Sequence, residues 1–142
     1  MKTYLTAFLI LISIGVFAQS DTSGRRSFQK ELGNLYFGEN IMDLQEDHRT
    51  ELMVIAKHLT DNPELGIIII GHTDDVGERE SNTRIAIERA KKVRDYLVSK
   101  GIKKSRIPYG GQGEDKPVFR DTTDYARSMN RRVTLRYFYM DE

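Results

Sequence analysis

Apolar positions along this chain change their spacing several times, and each change marks an element. Gly33 to Phe37 (GNLYF) is a short strand candidate, closed by Gly38-Glu39-Asn40. From Asp43 to Thr60 the spacing is helical, with Leu44, His48, Leu52, Ile55, Ala56 and Leu59 near one face. Asp43 is placed to cap this helix and Asp61-Asn62-Pro63 to end it. Gly66 then leads into Ile67-Ile68-Ile69-Ile70, an unbroken β-branched run between turn residues that predicts a strand buried on both faces. Gly71 to Gly77 (GHTDDVG) is the loop that follows it. Glu78 to Lys100 predicts a long helix with Ala86, Ala90, Val93 and Leu97 on its core face and Gly101 at its C-cap. Arg106 to Gly110 is a third strand candidate, followed by a turn-rich connection to Thr123 and a short helix over Asp124–Asn130. In the last strand, Arg131 to Phe138, Val133, Leu135 and Tyr137 alternate with Arg132, Thr134 and Arg136. The order β-α-β-α-β-(α)-β predicts an α/β two-layer sandwich, with helices packed on a mixed sheet.

The beginning of the chain follows none of these periods. Lys2 supplies a positive start, Leu5 to Phe17 is a mostly apolar run, and Val16-Phe17-Ala18 presents small or short residues, Val16 and Ala18, at the positions a signal peptidase reads. The run is shorter than the roughly 20 apolar residues that span a bilayer. Residues 1–18 are therefore expected to be a signal peptide cleaved before Gln19, residues 19–32 a flexible leader, and residues 33–142 a single domain. The full chain has 22 Lys and Arg against 21 Asp and Glu. Removing Lys2 with the signal peptide leaves the two signs equal, so no basic excess argues for a nucleic-acid partner. The absence of Cys excludes disulfides, thiolate metal sites, a cysteine nucleophile and a lipid-modified N-terminal Cys.

Chemistry is concentrated at one strand end. Open α/β sheets bind ligands at the carboxyl ends of their strands, and the most polar such end here is His72-Thr73-Asp74-Asp75. Two adjacent carboxylates there are suited to bind a cation, to act as acid and base, or to hold an ammonium group. The alternative is that one of them caps the next helix. On that helix, at about 100° per residue, Asn82 and Arg89 lie about 20° apart at one edge of the apolar face. Glu88 and Asp95 have basic neighbours at helical offsets, whereas Arg89 has no carboxylate within its own helix. It must snorkel to water, pair across the fold or bind an anion, and Arg94 is equally unpaired on the opposite edge. His48 and His58 read as packing or surface residues. His72 lacks a second His or Cys for a metal site, so no metal or other cofactor is expected. No nucleophile elbow or Gly-rich phosphate loop is present. Asn130-Arg131-Arg132-Val133 is either a phosphate patch or a strand start whose arginines pair with the preceding acidic loop.

Taken in order, these residues form a specific set: Phe37 and Leu44, Gly71-His72-Thr73-Asp74 with Gly77, Asn82 and Arg89-Ala90, Gly110, Gly113 and Pro117, then Asn130-Arg131-Arg132-Val133. The set resembles the OmpA-like C-terminal domain family, over about Gly33 to Tyr137. The resemblance implies non-covalent binding of peptidoglycan through the meso-diaminopimelate of its stem peptide, without catalysis, in the periplasm at the wall or outer membrane. It implies that Asp74 grips the diaminopimelate ammonium, Arg89 pairs with its carboxylate and Asn82 adds a hydrogen bond. Thr73, Phe37, Gly38 and Arg131 are implied as supporting residues. Two positions depart from the family's pattern. Gly38 stands where many relatives carry Asp, and Ala86 where they carry Ser, which would remove a hydroxyl near the site. The alternative function is an adaptor that holds an envelope or secretion complex at the wall through a protein partner. A metal-dependent hydrolase at His72, Asp74 and Asp75 is the remaining contrast.

Overall fold

The computed structural model describes residues 29–140. The expected signal peptide and residues 19–28 of the expected leader lie outside them. The elements are β1 (Gln29–Tyr36), α1 (Glu46–Asp61), β2 (Leu65–Gly71), α2 (Arg79–Ser99), a 3-10 turn at Lys104–Arg106, β3 (Tyr109–Gly111), α3 (Asp124–Asn130) and β4 (Arg132–Tyr139). The order matches the sequence pattern. The four strands form one sheet in the order β1-β4-β2-β3, with β4 antiparallel to both neighbours and β2 parallel to β3. The sheet is mixed because the last strand enters between the first two.

One face of the sheet carries the core. Leu35 from β1, Ile67 and Ile69 from β2, and Val133, Leu135 and Tyr137 from β4 meet Leu52 and Leu59 of α1 and Val93 and Leu97 of α2. The helix α2 lies so close to the strand ends that a Cβ on Gly71 would overlap the Ala86 carbonyl, and one on Gly111 would come within 2.6 Å of the Ile87 nitrogen. Glycine at both positions lets the helix backbone rest on the sheet, which fixes where Asn82 and Arg89 project. Just past this helix Gly101 takes a left-handed φ of 95°, a conformation that favours glycine.

Several local expectations change. The first strand starts at Gln29, inside the expected leader, and Gln29, Lys30 and Glu31 pair with β4 ahead of a bulge between Glu31 and Gly33 that leaves Leu32 out of register. Gln45, not Asp43, is the N-cap of α1, while Asp43 reaches across to Lys92 at 2.8 Å. Ile68 and Ile70 are only half-buried, because no helix among the described residues covers the second face of the sheet. Arg106 is held in the 3-10 turn, where its guanidinium donates to the carbonyls of Leu59, Asn62 and Leu65. The third strand is thereby cut to Tyr109–Gly111, with Pro108 supplying only a carbonyl to Ile69. No helix among the described residues is long and apolar enough to cross a membrane.

Candidate functional site

Where β2 ends, two backbone bonds hold the polar turn to its neighbours. The His72 N–H donates to the Arg132 carbonyl at 2.8 Å and the Thr73 N–H to the Gly113 carbonyl at 2.8 Å. The side chains beyond this point separate. Thr73 and Asp74 line a cleft on the helix side, whereas His72 lines a different hollow.

The two adjacent carboxylates also have different partners. Asp74 is 7% exposed. Its Oδ1 accepts from the Val76 N–H at 3.1 Å, and its Oδ2 accepts from Arg131 Nη1 at 2.9 Å. Asp75 faces solvent and pairs with Arg127 of α3 at 2.8 Å, a contact that holds its carboxyl below the usual range. Neither caps α2, whose N-cap is Glu78. They are not an acid–base pair acting on one point.

Arg89 is 1% exposed and among the largest fully buried side chains. Its Nε donates to the Ile41 carbonyl at 2.9 Å, Nη1 to His72 at 3.2 Å and Nη2 to Gly38 at 3.1 Å. The guanidinium also lies 5.2 Å from the Phe37 ring centroid, a cation–π contact. It pairs across the fold with carbonyl oxygens and, among the described residues, with no carboxylate. Burial lowers its pKa to about 10, with Arg131 pushing the same way and Asp74 opposing, so the charge persists at neutral pH. The Gly38 carbonyl is thus part of the cradle. Phe37 is supported from behind by His48, at 4.6 Å between ring centroids. The His48 ring donates from Nε2 to the Tyr36 carbonyl at 2.8 Å and accepts at Nδ1 from the Gln45 N–H at 3.3 Å. Arg94 answers its lack of a helical partner differently, by stacking 4.7 Å from Tyr109.

Asn82 is 3% exposed and spends its amide within the fold. It donates to Glu114 Oε2 at 2.7 Å and to the Asp74 carbonyl at 3.4 Å. Thr73 is buried too, and its hydroxyl has no partner among the described residues. A sealed hydroxyl of this kind is rare. Arg131 donates to the Phe37 carbonyl at 3.1 Å as well as to Asp74, which ties β1 to the turn. The expected pairing of both arginines with the preceding acidic loop does not occur. Arg131 pairs with Asp74, and Arg132 forms no ion pair among the described residues.

The cleft, of about 40 Å³, is lined by Thr73, Asp74, Asn82, Arg89 and Arg131, all singled out from the sequence. Phe37 and Gly38 stand behind Arg89 rather than in the lining. Glu39, Asn40, Val76 and Ile85 complete the wall and were not singled out as site residues. Asn40 has a φ of 53°, a conformation that Asn tolerates better than most residues; the Gly-Glu-Asn turn was the available signal. Ala86 is buried against Gly71 and Gly111 and does not line the cleft. Its replacement of Ser therefore removes no hydroxyl from the cleft wall. A groove of about 250 Å³ continues from Thr73 and Asp74 past Glu114 and Phe119. Asn130 shapes it by accepting from the Val118 and Phe119 N–H groups and donating to the Phe119 carbonyl. Among the described residues, no group of three or more His, Asp or Glu is placed to hold a metal ion.

A four-stranded mixed sheet backed by helices, with a charged cleft at the end of β2, defines the class of domain. The OmpA family model matches residues 36–131, and the chain belongs to the OmpA family. It is 33% identical to the peptidoglycan-associated lipoprotein of Rhizobium meliloti over 122 residues, 84% of this chain and 69% of that protein. It is 32% identical to the outer membrane protein Omp38 of Acinetobacter baumannii over 100 residues, 70% of this chain but only 28% of Omp38. Among solved structures, the peptidoglycan-associated lipoprotein from Burkholderia pseudomallei superposes with a TM-score of 0.71 at 29% identity, covering 73% of this chain and 88% of that one. The C-terminal domain of Helicobacter pylori MotB superposes at 0.70 with 22% identity, covering 78% and 86%, and shares the fold.

Proposed function

We propose that this domain binds peptidoglycan non-covalently, by holding the meso-diaminopimelate residue of the stem peptide in the cleft between Asp74 and Arg89. The observation that carries the reading is Arg89, a buried guanidinium with no carboxylate partner among the described residues, beside a buried carboxylate in one cleft. Diaminopimelate presents an ammonium and a carboxylate on one carbon. The ammonium would share Asp74 with Arg131. The carboxylate would take the remaining N–H groups of Arg89, a forked charge-assisted arrangement. Asn82 acts by holding the Asp74 turn and Glu114 in place. The named relatives include peptidoglycan-associated lipoproteins and an outer membrane protein. By that kinship the chain works in the periplasm as a wall anchor, binding without hydrolysis.

Co-sedimentation with purified sacculi tests this. Truncating one partner of a buried charge contact costs about 2–5 kcal/mol, so Asp74→Ala and Arg89→Ala, if folded by circular dichroism, should lose nearly all binding. Arg84→Ala, on the exposed face of α2, should bind like the parent. The pelleted wall should release no muropeptides over time. Folded Asp74→Ala and Arg89→Ala proteins that pellet normally would refute the clamp, and release of fragments dependent on Asp74 would refute binding without catalysis. Retention by envelopes lacking peptidoglycan would instead favour the adaptor.

A further inference from the structure

The sheet face opposite the helices carries a second hollow, of about 380 Å³, that the wall-binding cleft does not use. It forms because β4 is a central strand whose outward residues Arg132, Thr134 and Arg136 lie beside His72, with Lys116 of the loop between β3 and α3 at the same hollow. Arg132 is 7% exposed, yet among the described residues its guanidinium meets only carbonyl oxygens, Lys116 at 3.1 Å and Asn130 at 3.5 Å. Its Nε–H has no partner among the described residues. A buried guanidinium without a counter-anion is costly to keep.

His72, 4% exposed, is the second observation. Its Nδ1 is sealed from solvent with no hydrogen-bond partner among the described residues. An unpaired lone pair costs less than an orphaned N–H, so the proton belongs on Nε2, which is left as a free donor. Burial, then the charges of Arg132 and Arg136, lowers the pKa of this ring to about 4. The hollow's one carboxylate, Glu31, is exposed and contacts Arg136 at 3.3 Å. Three cationic side chains thus face one exposed anion.

We propose that this hollow is an oxyanion site that takes a phosphate group, separate from the wall-binding cleft. Arg132, Arg136 and Lys116 come from different directions, and a tetrahedral phosphate has oxygens for all three, where a carboxylate has only two to share. The Arg132 fork and the His72 Nε2–H supply directional donors at its floor. The phosphate can be free or part of a lipid headgroup, since both present the same oxygens.

The experiment titrates isotope-labelled protein with inorganic phosphate at pH 7, with sodium chloride at matched ionic strength as the control. Phosphate should give saturable shifts in the His72 ring and at Arg132 that chloride does not, and should raise the His72 pKa. Lys116→Gln with Arg136→Gln removes two exposed cations and should weaken phosphate binding by about fivefold, while sacculus binding stays unchanged. Asp74→Ala should still bind phosphate. Vesicles of phosphatidylglycerol, compared with phosphatidylcholine, form the second arm. Retention on the former, lost in the double variant, identifies a headgroup; saturation by free phosphate alone identifies the soluble anion. The proposal is overturned if neither arm shows binding beyond its control, or if the double variant binds both probes like the parent.

Discussion

Arg89 and His72 show how one short turn serves two sides of a sheet. The His72 carbonyl accepts from Arg89, while its ring faces the hollow on the opposite face. Arg89 therefore has a structural share besides its proposed ligand contact. Arg89→Ala strands two carbonyls, those of Ile41 and His72, while Gly38 keeps the Ile41 N–H, and it is expected to cost about 2–4 kcal/mol in urea unfolding. Asp74→Ala leaves Arg131 its contact with Phe37 and should cost less; equal losses would mean that Asp74 braces the fold as strongly. His72 gives a pH dependence of definite sign. Its folded pKa, about 4, lies below the ordinary value of 6.5, so between them only the unfolded chain takes a proton there. Stability is complete above pH 6.5 and falls as pH drops toward 4. The expected loss by pH 4.5 is about 2–3 kcal/mol. Urea unfolding in phosphate-free buffer should show that loss in the parent but not in His72→Gln, and parallel pH profiles would contradict it.

At the scale of elements, what the sequence revealed depended on whether a residue's partners lay nearby in the chain. The helices and the strands β2 and β4 were legible because their apolar faces repeat at 3.6 or 2 residues. The start of β1 was not: Gln29-Lys30-Glu31-Leu32 sits on an edge strand, which needs no apolar alternation to pair with β4. The shortening of β3 depends on Arg106 capping carbonyls more than 40 residues away, a distance no periodicity registers. The site divides the same way. Asp74, Asn82 and Arg89 stood out by chemistry and motif, but the Asp74–Arg131 contact spans 57 residues and appears only in the fold. The closest test of element packing is Gly71→Ala, whose methyl would collide with the Ala86 carbonyl of α2. It should lower stability by about 1–3 kcal/mol and also weaken sacculus binding, because Asn82 and Arg89 ride on that helix. An unchanged urea midpoint would show that α2 shifts freely, contrary to this packing.

For the whole molecule, the fold does one mechanical thing: it closes a mixed sheet around its last strand and leaves a buried cation and a buried anion in one cleft. The central claim is that this pair reads the two charges of diaminopimelate. It is tested most directly by the affinity of the unaltered protein for two soluble stem peptides differing only at the third residue, diaminopimelate or lysine, measured by isothermal titration calorimetry. Lysine keeps the ammonium for Asp74 but has no carboxylate for Arg89. At about 2–5 kcal/mol for a lost buried charge contact, the lysine peptide should bind at least about thirtyfold more weakly. Equal affinities for the two peptides would contradict the account.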